Sequence, residues 1–513
     1  MTVLFRLAWL ALGAAMCAAI LFLTGAPVLQ KIMQNNEIVF PENPDVLRAG
    51  AVSNRYPLVY RKIPVGKQTA WPGALTSAGD LVVLVNRKGA FHVLTGGQFV
   101  PAALPDFAVP AAAANSKITL SAVFDAVMRR DGDTYEMFLS FAYEGPQAGC
   151  TSLAVARATL TGAMLAPGTA TAGADWTTIF TSTPCIDGAG NQISLLGGGA
   201  MLLEAQTLIL AVGTFSLELA NTRERVAFLH SDLNPYGKIV RIDLETNIHT
   251  IVSKGHRDPV GLARDTEGGL WAVEHGPRGG DELNLVRQGG NYGWPILTFG
   301  SAYGLYRWTD DPDPDKIDQF DVPGFVWVPS IAPSSMLRVD SPAFPAWKGD
   351  LLVSSLKGGR LIRVRLHKGQ VIFAEPILVG ARVRDLVQTE AGEILVLLDR
   401  LPLVLRIENG IGRVDPKTPA TGFCVACHQL VPSDARPATG PSLVGVIGRR
   451  VAADQSYPFT DALRSLGGTW TVPRIIEFVK TPQRLAFGSS HPDMDLANFR
   501  MKAFLEWMEA NGG

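Results

Sequence analysis

The sequence predicts a mainly β chain, a six-bladed β-propeller over residues 50–410, preceded by an apolar N-terminal transmembrane helix and followed by an all-α domain over residues 416–513. Three observations predict it. Glycine (52) and proline (34) are abundant and long helical periodicity is missing from the middle of the 513-residue chain, the composition of many turns between short strands. A loop–turn–strand unit recurs there at roughly sixty-residue spacing, which suits one large propeller blade. Beyond the middle region the apolar positions change to helical spacing.

At the N-terminus, Arg6 precedes the apolar run Leu7–Leu23, which continues to Lys31. About twenty apolar residues suffice to span hydrocarbon and exceed the core of a usual cleaved signal. No clear small-x-small site precedes Lys31, so residues 1–31 read as an uncleaved anchor rather than a signal peptide. Cys17 follows the bulky Met16 inside the run and reads as an apolar membrane residue, not a lipid attachment site. With its N-terminus in the cytoplasm, such an anchor delivers the rest of the chain to the periplasmic side of a bacterial inner membrane. The net charge of -1, from 46 basic and 47 acidic residues, provides no global field for nucleic acid.

In the middle region the units are explicit. His256-Arg257-Asp258 leads to the turn and strand Asp265–Val273, and Arg384-Asp385 leads to Thr389–Leu397. A looser copy, Gly199–Leu210, lies about sixty residues before the first. Segments such as Gly237–Asp243 and Gly359–Arg365 alternate apolar and charged residues, as half-buried strands do. Radial repetition accounts for both the length and the recurring unit, which a sandwich does not.

The polar segment Ile411–Pro419 separates the last strand pattern from Cys424-Val425-Ala426-Cys427-His428. Thioether attachment of a haem needs two thiols one helical turn apart and an imidazole next to them, so Cys424, Cys427 and His428 are assigned to haem c. No second Cys-x-x-Cys exists to complete a zinc site. Cys150 and Cys185 remain as the only pair in the large domain, where an oxidising compartment favours a disulfide between neighbouring blade segments. The sequence Gly440-Pro441-Ser442-Leu443 resembles class I cytochromes c. That resemblance implies that the Pro441 carbonyl accepts the His428 ring N–H, that Leu443 packs on the porphyrin, and that Met494 is the sixth ligand, with His491 as its rival. Trp470–Pro473 marks a helix start, and Leu496–Ala510 an amphipathic closing helix.

Gly255-His256-Arg257-Asp258-Pro259-Val260-Gly261-Leu262, then Glu274–Asn284, then Gly290-Asn291-Tyr292-Gly293-Trp294-Pro295, resemble the PQQ-dependent glucose/sorbosone dehydrogenase family. Pro329–Ser334, Ser354–Lys357 and Arg382–Asp385 continue the likeness. It implies a six-bladed propeller whose loops hold PQQ, a quinone with three carboxylates that needs a ring of fixed cationic donors. Arg257, Lys357, Arg382 and Arg384 are the implied cations, with a hydroxyl from Ser330. The carbonyls of Gly276 and Pro277 are the implied calcium ligands, with Asp281 and Glu282 available for a further ion. Arg257-Asp258 and Arg384-Asp385 also have a plain structural reading as loop salt bridges.

One departure from the family bears on catalysis. Where the family carries a general-base histidine before a Gly-Gly-Arg-like turn, this chain reads Leu195-Leu196-Gly197-Gly198-Gly199, and Thr214 replaces a supporting aspartate. No histidine occurs between His92 and His230, so a small shift of alignment restores no base. Asp258, in place of the family's asparagine, is the remaining candidate, and the neighbouring Arg257 is expected to make it a weak one. Two function classes follow. The first is a dehydrogenase that oxidises a sugar or alcohol and passes electrons through haem to a respiratory acceptor or other redox protein. The second is a propeller without its chemistry, serving as a docking platform for an electron-transfer cytochrome.

Overall fold

The computed structural model describes residues 52–53, 56–66, 72–110, 118–145, 150–168, 173–187, 196–217, 223–301, 318–409, 428, 441–454, 457 and 459–487. Within them six four-stranded antiparallel blades follow one another. Blade 1 runs from Pro72 to Pro101, blade 2 from Thr119 to Thr181, blade 3 from Gly198 to Lys254, blade 4 from Pro259 to Trp327, and blade 5 from Pro333 to Leu378. Blade 6 takes three strands from Val383–Asn409 and its outermost strand, Tyr56–Pro64, from the start of the domain. The register Leu58↔Asn409 to Pro64↔Leu403 closes the ring with backbone hydrogen bonds, so neither end of the propeller chain is left as an open sheet edge.

The first strand of each blade packs on the first strand of the next, and blade 6 returns to blade 1. Six apolar clusters fill the six gaps between neighbouring blades. Central strands therefore have both faces covered, which is why Leu270–Glu274 and Ile394–Leu398 are buried along their whole length. Each recurring sequence unit is the first strand, turn and second strand of one blade: Pro259–Glu274 of blade 4, Val383–Leu398 of blade 6 and Gly198–Val212 of blade 3.

Two charged residues expected on half-exposed strand faces are enclosed instead. Lys238 donates through Nζ to the carbonyls of Leu229 and Tyr236, each at 2.9 Å, and so ties the helix Arg223–His230 to blade 3. Burial lowers its pKa to about 8. Arg363 lies between Asp350 and Glu375 (3.4 and 3.2 Å), with its guanidinium over the rings of Trp347 and Phe373. Both positions face a neighbouring layer of the same domain, and each charge is compensated there.

Cys150 and Cys185 form a disulfide with a Cα–Cα distance of 5.5 Å. It joins neighbouring blade segments, as the sequence suggested, and both belong to blade 2. Cys150 opens the third strand of blade 2, and the segment Ile186–Asp187 next to Cys185 pairs with that same strand, so the bond pins the chain as it leaves the blade.

In the C-terminal region, the helix Val472–Lys480 starts where predicted: the Thr471 side chain accepts the Arg474 N–H and a proline occupies the first turn. Cys424, Cys427, His491, Met494 and the predicted closing helix lie outside the described residues, as does the predicted anchor at 1–31. Among the described residues no helix is long and apolar enough to cross a membrane.

Candidate functional site

In an antiparallel blade, the loop between the second and third strands and the connection to the next blade share one end. Every predicted cofactor residue of the propeller falls in or beside such loops of blades 3 to 6. Arg257 lies in the blade 3–4 connection. Its N–H donates to Glu274 Oε2 (2.6 Å), its Nη1 to the Gly276 carbonyl (3.1 Å), and its guanidinium lies 5.4 Å from the centroid of the Trp294 ring. Gly255, at φ +78, permits the turn before it, because a Cβ there would meet Asn291 Oδ1 and the Gly293 nitrogen at 2.4 Å.

A buried network holds this loop, and of its members only Glu282 has a role assigned from the sequence. His256 contacts Glu274 Oε1 through Nδ1 (2.9 Å) and Ser253 Oγ through Nε2 (2.8 Å), and its ring stacks on Tyr292. Asn284 Nδ2 donates to both Glu274 (2.7 Å) and Glu282 (3.2 Å). Burial, followed by repulsion from Glu274, raises the Glu282 carboxyl well above the usual carboxylate range. Its members His256, Glu274, Asn284 and Tyr292 all fall in the segments that carry the family resemblance, which assigns them no role.

Asp281 is fully buried and saturated. Its Oδ1 accepts the Gly276 N–H (3.0 Å), and its Oδ2 accepts Ser330 Oγ (2.7 Å) and the N–H groups of Ile331 (2.7 Å) and Ala332 (2.8 Å). It therefore shapes the Ser330 loop, and this arrangement leaves it little capacity for calcium. The Lys357 N–H donates to the Ile331 carbonyl (3.1 Å), which sets the lysine beside the same loop. Ser334 Oγ donates to the carbonyl of Val383 (2.7 Å), the residue between Arg382 and Arg384. The structure thus links five of the predicted residues, Arg257, Gly276, Asp281, Ser330 and Lys357, and connects them to the arginine pair.

In the Arg384-Asp385 dipeptide the two charges serve different partners. Arg384 and Arg382 both bind Asp399, each at 2.8 Å. Burial would raise the pKa of Asp399, but Arg384 and Arg382 hold it below the ordinary value. Asp385 instead accepts the Leu75 N–H of blade 1 at 2.6 Å and seams the ring where it closes. Asp258 likewise reaches out of its own blade, accepting the Gly198 N–H at 2.9 Å.

That contact puts a carboxylate beside the Gly197–Gly199 segment. Leu195 lies outside the described residues, but the adjoining backbone is walled by aromatic rings. A Cβ on Gly197 would meet Phe215 at 2.7 Å, and one on Gly199 would meet Phe124 at 2.6 Å, so no arginine fits at Gly199. Thr214 is buried, with its N–H on the Arg257 carbonyl (2.8 Å). Burial raises the Asp258 pKa despite His275, Arg257 and the Gly198 hydrogen bond, the reverse of the weakening expected from Arg257 alone.

The acidic, planar cofactor fits the cationic loops and the Arg257–Trp294 stack. The Gly276 carbonyl, one of the two implied calcium ligands, accepts one hydrogen bond from the Arg257 guanidinium and keeps its second lone pair. The haem position is consistent with its motif: the His428 Nδ1–H donates to the Pro441 carbonyl at 2.7 Å, the tautomer that keeps the lone pair on Nε2 for iron.

Comparison with known proteins agrees with this geometry. A stretch of 152 residues is 36% identical to the aldose sugar dehydrogenase YliI of Escherichia coli, covering 29% of this chain and 41% of that protein. Another, of 95 residues, is 33% identical to cytochrome c-554 of Methylosinus trichosporium, covering 17% of this chain and 70% of that protein. The fold matches the crystal structure of the soluble aldose sugar dehydrogenase of E. coli with a TM-score of 0.54 at 23% identity, over 68% of this chain and 99% of that one. Residues 70–404 match the glucose/sorbosone dehydrogenase family, and the chain belongs to that family.

Proposed function

We propose that the chain is a quinohaem oxidoreductase: a PQQ-dependent sugar or alcohol dehydrogenase whose propeller hands electrons to its own c-type haem. The observation that carries this reading is the cationic loop face, where Arg382 and Arg384 share the single buried carboxylate of Asp399, in the same chain as a haem attachment sequence. When bound, PQQ supplies the two-electron oxidant for a C–H bond of the substrate and the store from which electrons leave one at a time. Arg257, Lys357, Arg382 and Arg384 orient its carboxylates and carbonyls, and Ser330 adds a hydroxyl. Trp294 and Arg257 hold its plane and exclude water from one side. Asp258 accepts the substrate hydroxyl proton, a role that its burial-raised pKa favours. His428 and Met494 would hold the haem iron. Residues 1–31 anchor the chain in a bacterial inner membrane, with its domains in the periplasm and a respiratory redox protein as electron acceptor.

A second reading, a docking platform without oxidative chemistry, draws on the aromatic wall around Gly197 and Gly199. Anaerobic loading of the full chain with PQQ and Ca²⁺, followed by a haem-reduction screen against sugars and alcohols, separates the two. Substrate-dependent haem reduction supports the oxidoreductase. A folded protein that takes up no PQQ supports the platform.

A further inference from the structure

We infer that Arg87, on the loop between the second and third strands of blade 1, is a further cofactor-anchoring residue that completes the cationic cradle of blades 5 and 6. The inference rests on the PQQ-binding reading above and adds a residue from a blade that the resemblance left out.

Three observations carry it. The first is rigidity. The loop after strand Leu81–Asn86 is an Asn-capped turn in which Asn86 Oδ1 accepts the N–H groups of Lys88 (2.8 Å) and Ala90 (3.0 Å). The Arg87 carbonyl accepts the Val123 N–H of blade 2 (3.0 Å), and the Gly89 carbonyl accepts the Phe107 N–H (2.8 Å). Arg87 is therefore presented on a backbone pinned from both sides, as a binding residue needs to be.

The second is position. Blade 1 meets blade 6 where Leu75 N–H binds Asp385, the residue after Arg384. Leu75 is in register with Leu84, three residues before Arg87 on the way to the loop face. Ring closure thus brings the most N-terminal and most C-terminal blades together at the cationic rim.

The third is charge. Arg382, Arg384 and Arg400 lie on Asp399, with Arg400 Nε at 3.8 Å, and Arg87 is near enough to Arg384 and Asp399 to feel both charges. Burial, then the nearby Arg384, lowers the Arg87 pKa to about 10, against the partial opposition of Asp399. A multiply charged anion such as a tricarboxylate quinone suits cations held close together.

The test is equilibrium binding of PQQ to the full chain, read by the absorbance of retained quinone after dialysis and by thermal melting with and without PQQ. Arg87→Gln is expected to weaken binding about ten- to a hundred-fold, the usual effect of one lost charge-assisted hydrogen bond. Arg87→Lys should recover most of the affinity. Lys88→Gln, the same charge change on the exposed neighbouring residue, should leave it unchanged. Arg87→Met keeps the aliphatic stem and carries the test if the glutamine variant melts early. PQQ affinity in Arg87→Gln and Arg87→Met within two-fold of wild type would overturn the inference while leaving the function standing, whereas no binding by the wild-type chain overturns both.

Discussion

The loop ends of blade 3 and of blades 5 and 6 belong to one propeller and have opposite characters. At blades 5 and 6 the chain spends buried space on charge: Arg382 and Arg384 on Asp399, with Arg87 nearby. At blade 3 it has filled the corresponding space with Phe124 and Phe215 against a run of glycines. The first region can hold an acidic cofactor, while the second leaves no room for an arginine at Gly199. Cofactor retention and proton-transfer machinery are thus physically separable in this fold, and Asp258, hydrogen-bonded across to Gly198, is where the two regions meet.

The strongest way to break this contrast is to remove the cationic side. Arg382→Ala with Arg384→Ala should weaken PQQ binding by roughly two to four orders of magnitude, from two charge-assisted contacts of about 1.5–3 kcal/mol each. Retention of wild-type affinity in a titration would show that the rim is structural. Asp258→Asn probes the meeting point. Haem reduction by substrate should fall about 10²–10⁴-fold, the usual loss on removing a general base, with PQQ affinity little changed. Because the group works deprotonated and burial raises its pKa, the wild-type rate should climb with pH through a value above the ordinary 3.8, and this limb should vanish in the variant.

Smaller effects sharpen the blade 3 side. Replacing Cys150 and Cys185 by serine opens a link of sequence separation 35 and should cost about 3–4 kcal/mol in denaturant unfolding. The loss should leave PQQ affinity unaltered, since the bond pins only the exit from blade 2. Gly199→Ala, at φ +92 and with its Cβ 2.6 Å from Phe124, should destabilise by about 1–3 kcal/mol, measurable as a lower urea midpoint. A further probe is pH. Burial and the neighbouring Asp385 raise the Asp125 pKa from 3.8 to about 8. Over that interval the folded state holds a proton that the unfolded state releases, so stability should fall as pH rises, and Asp125→Asn should flatten the fall.

The sequence by itself determined the architecture and the chemistry on offer. Blade strands announce themselves through period-two alternation, turn residues and repetition, and haem attachment through the contiguous Cys424–His428; both are local patterns that survive being read along the chain. The tertiary structure decided how the charges are used. Arg384 and Asp385 are neighbours in sequence but serve different partners, Asp399 and the Leu75 N–H, and the latter lies 310 residues away. Lys238 and Arg363 alternate like surface residues, yet they are enclosed because another layer covers them. Arg87 carried no motif at all. Its place beside Arg384 arises only when the ring closes, because long-range pairing is set by the packing of the six blades and not by any pattern within one of them.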